Sequence, residues 1–525
     1  MSRFESELPA TVSRTWPGLG HWNLYFMLKF ALQWGGYLNL QVLPNLLFAA
    51  FLLMPLGSRF GAIARRSIAV PVAVVLLYGD TWLPSLSLWT AWPAVTGFSS
   101  AHFLALAERL IDWNLGGWLL VLVVAYAYIH PWLRMTTLSL AGLVWLSCSS
   151  LLGSTPTVSR PDTAIDSYLQ QFYAVQAERR VTFSPSTAAA QPFDLLFINI
   201  DSMAWDDLEL SGLREHPLLR QMDVLFDRFN SAASERVPAT LRLLRAGCGQ
   251  TPLRQLYAPA DESCLLFEEL GKQGFTGETL LNHTGQQEGF LNAVQTLGAV
   301  PGPETNLSHL RPMLSGQDGS PILRDGEVLD LWWKLRQQQP ESRVALFYNT
   351  LTLHEGNRMV TADGGTRRAD YKERAQTLLD DLNGFIAQLE LSGRRVVVVI
   401  VPDHGAALRG DRMQLPGMHG IPSPSITQVP VGIKLIGMGR NPRSTPLHIT
   451  ETSSYLALAQ IIDRLYSAPS RADDLQPDWQ PLLAQLMQTP LVSESEGSVV
   501  LDYAATPYVR IKEKNAWLPY RPVTQ

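Results

Sequence analysis

The sequence predicts an α/β domain with a mostly parallel sheet, preceded by an N-terminal bundle of transmembrane helices. Residues 1–153 carry only 13 of the 89 charged side chains, so the first third of the 525-residue chain is far more apolar than the rest. From residue 193 onward, apolar strand patterns alternate with helical patterns. The most regular strand, Val396 to Val401, consists of six aliphatic residues and ends in Pro402-Asp403-His404-Gly405.

The N-terminal third contains apolar stretches that approach the length of about 20 residues with which a helix crosses about 30 Å of hydrocarbon. The second stretch is short and Lys29 lies inside the first, so the alternative to five spans is four spans with a re-entrant or tilted segment. Lys29 is expected to snorkel toward a lipid headgroup. The stretches lie at about residues 21–38, 42–56, 68–85, 116–133 and 136–153.

Basic residues between these stretches predict their orientation, because short loops rich in Arg and Lys stay in the cytoplasm. Arg59, Arg65 and Arg66 lie between the second and third stretches, and Arg134 lies between the fourth and fifth. We therefore expect a cytoplasmic N-terminus and a large C-terminal domain outside the cytoplasm.

Residues 154–192 are predicted to be a linker that contains one helix. Both of its ends are small, polar and proline-containing, whereas its middle repeats apolar residues at helical spacing. We expect this helix to pack on the membrane face or on the C-terminal domain, which begins at residue 193. The repeating residues are Tyr168, Phe172, Tyr173 and Val175.

The C-terminal domain, residues 193–525, contains continuous apolar strands separated by long helical patterns such as Asp370 to Leu391. Continuous apolar strands are buried on both faces, as in a mostly parallel sheet covered by helices. Ligands in such sheets bind at the carboxyl ends of the strands. The strand candidates are residues 194–200, 344–350, 396–401 and 429–436.

The cysteines fit an oxidising compartment. Cys148 lies in the last apolar stretch, which leaves Cys248 and Cys264 as a pair in the C-terminal domain. A bridge that closes a loop of this length stabilises a fold by about 3 kcal/mol in the chain-entropy model. Two unconnected buried thiols are the alternative, because spacing alone does not prove a bond.

Acids and imidazoles follow the ends of three predicted strands. Asp201 follows the first strand, His354 and Glu355 follow the second, and Asp403 and His404 follow the third. Taken singly, an acid in this place is often a helix cap and a histidine a packing residue. Their convergence at equivalent strand ends predicts a site for Zn²⁺, which accepts carboxylate oxygen and imidazole nitrogen.

Several long segments resemble the bacterial cellulose phosphoethanolamine transferase family, the cellulose biosynthesis protein of subunit type G. The resemblance covers essentially the whole chain, from Gly20-His21-Trp22-Asn23-Leu24-Tyr25-Phe26 to Pro507-Tyr508-Val509-Arg510. Matching segments in between include residues 196–200, 242–251, 347–351, 353–357, 410–414 and 421–427.

The resemblance implies an inner-membrane protein whose periplasmic domain has the α/β fold of alkaline phosphatases and sulfatases. Such a domain would take phosphoethanolamine from phosphatidylethanolamine, hold it on a serine and pass it to cellulose. The implied cofactor is zinc, and the implied partners are the subunits of the cellulose synthase complex. A net charge of −5 gives no indication of nucleic-acid binding.

The chain departs from the family pattern at three site positions. Asp201 stands at the family's zinc-binding cysteine and Asp403 at its zinc-binding glutamate, and both replacements keep an anionic ligand. His404 matches the family's zinc-binding histidine, and His354 matches a residue expected to touch the transferred group. Arg236 stands at the nucleophilic serine, and a guanidinium stays protonated and cannot be that nucleophile.

Three explanations of Arg236 remain open. In the first, Ser234 or Thr240 is the nucleophile. In the second, the group is transferred directly while Arg236 clamps the phosphate. In the third, transfer is lost, Arg236 lies between Asp201 and Asp403 in place of zinc, and the protein is a scaffold for the cellulose synthase.

Two further residues are expected to bind substrate. Arg412 lies in the loop beyond the Asp403–His404 strand end and would hold the phosphate or a sugar hydroxyl, unless it belongs to an ordinary surface loop. Glu355 is placed at the substrate by its position beside His354.

Overall fold

A computed structural model describes residues 18–34, 38, 40–54, 59–80, 113–152, 160–184, 192–340, 343–411, 413–414, 416–439, 443–467, 477–511 and 516–520. Among these, the residues up to Leu152 form one compact unit and those from Arg160 onward form a second.

The first unit is helical. Its helices overlap the five apolar stretches of the sequence, and they are α1 Trp22–Trp34, α2 Val42–Leu53, α3 Arg59–Asp80, α4 Trp113–Ile129 and α5 Met135–Leu152. Helix α3 begins well before the predicted third stretch, so Arg59, Arg65 and Arg66 lie within a helix and not in the predicted loop. None of the helices in the described ranges combines the length with the apolar composition that crossing a membrane demands. The transmembrane bundle and its orientation stay predictions.

Lys29 does not extend toward a surface, so the prediction that it snorkels is wrong. Its side chain is 1% exposed and its Nζ lies 2.5 Å from Asp80 Oδ2, at the end of α3. Lys29 Nζ also donates to Asn45 Oδ1 of α2 at 2.7 Å, and Asn45 Nδ2 donates to Asp80 Oδ2 at 2.9 Å. A buried ammonium needs such a partner, because an unpaired charge in apolar surroundings costs several kcal/mol.

The second unit is built around a seven-stranded sheet in the order β11-β2-β10-β9-β1-β6-β3. Its members are β1 Asp194–Ile200, β2 Val224–Asn230, β3 Phe275–Leu281, β6 Arg343–Thr350, β9 Val396–Pro402, β10 Gln428–Ile436 and β11 Leu447–Ile449. Strand β1 pairs in parallel with both β6 and β9, and β3 pairs in parallel with β6. The predicted α/β class with a mostly parallel sheet is confirmed, and the sheet is mixed because β10 runs antiparallel to β9 and β2.

Helices cover both faces of this sheet, as the continuous apolar strands require. Along β1, Leu195 and Phe197 enter one core, whereas Leu196 and Ile198 enter the other. The helices of this unit are α6 Arg160–Glu178, α7 Trp205–Ser211, α8 Pro217–Arg220, α9 Arg236–Leu244, α10 Leu253–Leu256, α11 Leu266–Lys272, α12 Phe290–Gly298, α13 Asp325–Gln338, α14 Tyr371–Leu391, α15 Pro424–Thr427, α16 Tyr455–Ser467 and α17 Trp479–Leu483.

Two small antiparallel sheets complete the unit. One contains β4 Pro312–Ser315, β5 Pro321–Leu323, β7 Arg358–Val360 and β8 Thr366–Arg368, and the other contains β12 Val492–Glu494, β13 Ser498–Tyr503, β14 Thr506–Ile511 and β15 Trp517–Pro519. The helix expected in the linker is α6, which packs Ile165, Leu169 and Phe172 against Val499 and Trp517 of the second small sheet.

Cys248 and Cys264 form a disulfide, with a sequence separation of 16. Replacing both by alanine should lower the free energy of unfolding by about 3 kcal/mol, because the unfolded chain regains the freedom of that loop. Denaturant unfolding of the full-length protein in detergent measures the change. Cys148→Ala is the control and should leave the unfolding midpoint unaltered, and an equally stable double variant would contradict the prediction.

Candidate functional site

The sheet topology brings the carboxyl ends of six of the seven strands to one edge, since β11 is also parallel to β2. Strands β1, β3, β6 and β9 run in the same direction. Strand β10 lies between β9 and β2 and is antiparallel to both, so β2 runs in the same direction as β9. Residues that follow these strands therefore gather at one edge, where ligands of such sheets bind. The ends of β2 and β3, which the sequence patterns did not reveal, contribute the segments that begin at Ser231 and Asn282.

Asp201, Asp403 and His404 form a buried cluster at this edge. One ligand atom from each lies within 4.8 Å of the other two, and the three residues are at most 3% exposed. The ladder hydrogen bonds position them, because Asp201 N donates to Thr350 O and Asp403 N donates to Ile200 O. The carboxylate of Glu355, which the sequence placed at the substrate, lies outside this cluster.

The hydrogen bonds of the cluster leave ligand atoms free. Asp403 Oδ1 accepts from the backbone N–H of Ser202 and of His404, while Asp403 Oδ2 is buried and accepts from no described residue. The Nδ1 of His404 lies 2.9 Å from Gly405 O, an arrangement that directs that N–H to the carbonyl, and its Nε2 faces the cluster 3.8 Å from Asp403 Oδ1. An orphaned carboxylate oxygen and a free imidazole nitrogen fit a divalent cation such as Zn²⁺.

The backbone around the cluster is tightly constrained. Ser202 has φ 64° immediately after Asp201, a conformation that costs about 1–3 kcal/mol in a non-glycine residue. A Cβ at Gly405 would lie 2.6 Å from Ala204 Cβ, so only glycine fits after His404. The Pro402-Asp403-His404-Gly405 motif therefore combines two ligand side chains with the one residue that allows the next loop to approach.

The two carboxylates of the cluster differ in their pKa. Burial raises the pKa of Asp403 to about 7, and the charge of Asp201 adds to the rise. Burial also opposes the ionisation of Asp201, yet the charges of His354, His404 and Arg236 hold its pKa below the ordinary value. Burial disfavours the charged form of His404 as well, but the two aspartates raise the pKa of its imidazole above the ordinary value.

His354 lies beside Asp201 at the end of β6. Its Nδ1 is 3.2 Å from Asp201 Oδ2 and its Nε2 is 3.5 Å from Gln287 Nε2, so one ring nitrogen faces the carboxylate. The side chain is 18% exposed, unlike the fully buried Asp201, and so it can touch a molecule that enters the site.

Arg236, the first residue of α9, lies at the site but contacts only one of the two aspartates. Its Nε is 3.9 Å from Asp201 Oδ2, its Nη2 donates to Gln287 O at 2.9 Å, and its guanidinium lies 4.7 Å above the ring of Phe290. No ion pair between Arg236 and Asp403 occurs in the described part of the chain. Arg236 therefore lies beside Asp201 and not between the two carboxylates, although its charge also acts on Asp403.

The two alternative nucleophiles have different surroundings. The hydroxyl of Thr240 donates to Asn199 Oδ1 at 3.1 Å inside a buried amide network with Asn349, so it is already engaged within the sheet. The Oγ of Ser234 is buried and has no hydrogen-bond partner among the described residues. The backbone of Ser234 also lies near His419, whose ring is 5.1 Å from the ring of His404 in the cluster.

Three other residues of the site were not recognised from the sequence as functional. His283, after β3, lies 2.9 Å from Asn349 Oδ1 through its Nε2, and burial lowers its pKa to about 3. Gln287 and Glu288 hold the guanidinium of Arg236 from the same loop. All three follow β3, Phe275–Leu281, so a prediction of that strand would have placed them at the same edge of the sheet. Arg412, predicted to bind substrate, lies outside the described residues.

The sequence comparisons identify the family. The family described as "Cellulose biosynthesis protein BcsG C-terminal domain" matches residues 153–517, and the one described as "Cellulose biosynthesis protein BcsG N-terminal domain" matches residues 22–148. The chain is 40% identical over 553 residues to the cellulose biosynthesis protein BcsG of Escherichia coli K12, covering 98% of both chains. The corresponding protein of Salmonella typhimurium LT2 is also 40% identical, again with 98% coverage.

Solved structures with similar folds include an alkaline phosphatase superfamily protein from Vibrio parahaemolyticus, with a TM-score of 0.45, 12% identity and coverage of 68% of this chain and 90% of the other. The lipooligosaccharide phosphoethanolamine transferase A of Neisseria meningitidis, an integral membrane protein, has a TM-score of 0.40 at 14% identity, with 84% and 94% coverage. The sequence matches carry the assignment, and they confirm the resemblance found in the motifs. The chain belongs to the cellulose biosynthesis protein BcsG family.

In metal-free protein, Asp403→Asn should raise the free energy of unfolding at pH 8 and leave it nearly unchanged at pH 4. The folded-state pKa of Asp403, about 7, exceeds the unfolded value of about 3.9, so wild-type stability falls as the pH rises between these values. The amide never ionises and avoids this loss, which amounts to at most about 4 kcal/mol. Urea unfolding in EDTA across pH 4–8 measures it.

Asp194→Asn is the matched control at the opposite end of β1. Burial raises the pKa of Asp194 as well, but its carboxylate accepts from the buried Arg336 Nη2 at 2.8 Å, so the amide removes the anion that this guanidinium contacts. This variant should be less stable than the wild type at pH 8, by about 3 kcal/mol. A loss of the same sign in Asp403→Asn would show that the raised pKa is not the cause.

Proposed function

We propose that this protein transfers phosphoethanolamine to cellulose, in a zinc site formed by Asp201, Asp403 and His404. Family membership supports a role in cellulose biosynthesis. The observation that carries the chemistry is the orphaned, fully buried Asp403 Oδ2 beside a second carboxylate and a free imidazole nitrogen. Such a cluster is unfavourable without a cation, and zinc satisfies all three groups.

Bound zinc would lower the pKa of a coordinated hydroxyl and neutralise charge on phosphoryl oxygens. Residues of the chain would provide proton exchange and phosphate binding. His354, partly exposed and held by Asp201, can exchange a proton with a reacting oxygen. Arg236 supplies a fixed positive charge for a phosphate, and the carbonyl of Gln287 and the ring of Phe290 hold it in place.

Ser234 is the proposed nucleophile. Its Oγ forms a bond to phosphorus while the bond from phosphorus to the diacylglycerol oxygen breaks, and the serine proton ends on the released diacylglycerol. A glucose hydroxyl of cellulose then bonds to phosphorus, the bond to Ser234 breaks, and the glucose proton returns to the serine. A covalent relay of this kind splits one difficult transfer into two easier ones.

The proposed location is the bacterial inner membrane, with the second unit in the periplasm. Support comes from large apolar side chains that are each more than half exposed on helices of the first unit, an arrangement unfavourable in water. These side chains are Val70, Val74 and Val75 of α3 and Trp118 and Val124 of α4. Phosphatidylethanolamine as donor and the cellulose synthase subunits as partners belong to the same proposal.

Arg236 favours a second candidate function, a scaffold for the cellulose synthase that has lost transfer activity. Its guanidinium already compensates Asp201, at 3.9 Å, in place of the family's serine. A protein of this kind needs neither zinc nor substrate. The two candidates therefore differ in metal content before any activity is measured.

The full-length protein, purified in detergent, should contain close to one zinc per chain by inductively coupled plasma mass spectrometry. Asp403→Asn and Asp201→Asn should each reduce zinc affinity at least 100-fold, because each removes an anionic ligand. Asp194→Asn, a buried aspartate of the same strand outside the cluster, should retain the metal. Absence of zinc from the wild type, even after incubation with ZnCl₂, would favour the scaffold.

Turnover of a nitrophenyl ester of phosphoethanolamine tests the catalytic residues. Ser234→Ala should lower kcat at least 100-fold with zinc retained, because the group has no residue to move to. Arg236→Gln should raise KM more than it lowers kcat if the guanidinium binds the phosphate in the ground state. Thr240→Val is the control hydroxyl and should keep most of the activity. Full activity in Ser234→Ala would exclude it as nucleophile.

A further inference from the structure

The first helical unit contains a cavity of ≈ 1040 Å³ between the start of α1, the end of α4 and the start of α5. We propose that this cavity binds one glycerophospholipid with a net-negative headgroup. The inference rests on the proposed membrane location of the first unit and is independent of phosphoethanolamine transfer.

Basic side chains lie at one end of the cavity. His21 comes from the start of α1, while His130 and Arg134 come from the turn between α4 and α5. Among the described residues, the Arg134 guanidinium and the His21 ring have no hydrogen bond or ion pair. Within the described ranges, His130 forms a hydrogen bond only through Nδ1, at 3.1 Å from Ala127 O, so its Nε2 is available. An unpaired guanidinium with two imidazoles suits a phosphodiester oxygen.

Hydrogen bonds hold this polar end together. Thr136 Oγ1, at the start of α5, accepts from Leu19 N and from Asn23 Nδ2, both at 3.2 Å. Ser139 Oγ donates to Asn23 Oδ1 at 3.0 Å. The start of α1 is therefore fixed against the turn that carries His130 and Arg134, and the basic residues remain close together before any ligand arrives.

The rest of the cavity has apolar walls from four helices, which suit acyl chains. Leu24 comes from α1, Leu53 from α2, Val123 from α4 and Leu140 from α5. A cavity with a basic end and aliphatic walls fits an amphiphile with an anionic head, and basic pockets between membrane helices bind such headgroups.

The charge of the lining selects among phospholipids. None of the described residues that line the cavity is Asp or Glu, so an ethanolamine ammonium would find no carboxylate there. A net-negative headgroup such as that of phosphatidylglycerol avoids this cost. The cavity is therefore expected to prefer a lipid different from the zwitterionic donor of the proposed transfer reaction.

Native mass spectrometry of the full-length protein in detergent, titrated with phosphatidylglycerol or phosphatidylethanolamine of identical acyl chains, tests the proposal. The wild type should bind one phosphatidylglycerol with about tenfold higher affinity than phosphatidylethanolamine. Arg134→Gln should lower the phosphatidylglycerol affinity about fivefold, as expected for one basic residue, and Arg134→Lys should restore most of it. Arg66→Gln removes an exposed arginine of α3 outside the cavity and should bind like the wild type.

Equal affinity for the two lipids, or wild-type affinity in Arg134→Gln, would overturn the proposal. If Arg134→Gln does not elute as a single species on size exclusion, His130→Gln replaces it, with the same expected loss. Zinc content and turnover of the nitrophenyl substrate should be unchanged in either variant, so a failure of the lipid site and a failure of the proposed function are seen in separate measurements.

Discussion

The repulsion between two buried carboxylates determines the arrangement of this site. Parallel pairing of β1 and β9 places Asp201 and Asp403 at adjacent strand ends, where both are fully buried. Two carboxyl groups this close do not both ionise unless positive charges compensate them. Here His354, His404 and Arg236 provide those charges. The opposite pKa shifts of the two aspartates are the result, since Asp201 has both His354 and Arg236 beside it, whereas Asp403 has His404 at 3.8 Å.

Arg236 and a divalent metal ion are alternative cations that can offset the repulsion between the two carboxylates. A unit charge about 4 Å from another contributes about 4 kcal/mol at an effective dielectric of 20, before desolvation is counted. Arg236 Nε lies 3.9 Å from Asp201 Oδ2, so an attraction of this order stabilises the site without metal, and the same guanidinium would repel a cation that binds there. We therefore expect a divalent cation to bind more weakly here than beside a neutral serine, and for this reason metal content separates the proposed enzyme from the proposed scaffold.

The sequence predicted the part of the site that follows long apolar strands. Asp201, Asp403 and His404 come directly after β1 and β9, and His354 follows β6 after a short loop; the uninterrupted apolar runs of these strands identify them as buried. Strand β2 was not predicted because Asp227 and Arg228 interrupt its apolar run. Without this strand, the sequence gives no reason why Ser234 and Arg236, which follow it, should reach the site. The orientation of the Arg236 side chain depends on Phe290 and Gln287, which are more than fifty residues away in the chain, and no local pattern encodes such a contact.

The same limit explains why Lys29 was misread. A lysine near the end of an apolar helix has two ways to satisfy its charge, by reaching a headgroup or by finding an acid on another helix, and the α1 sequence fits both. Asp80 decides between them from 51 positions away, with Asn45 bridging the pair. Because each member would be an uncompensated buried charge alone, α1, α2 and α3 are bound into one assembly, in which removal of a single partner costs more than the pair contributes. In the first unit and in the carboxylate cluster of the second, segments distant in sequence supply opposite charges: Asp80 for Lys29, and His354 and Arg236 for Asp201.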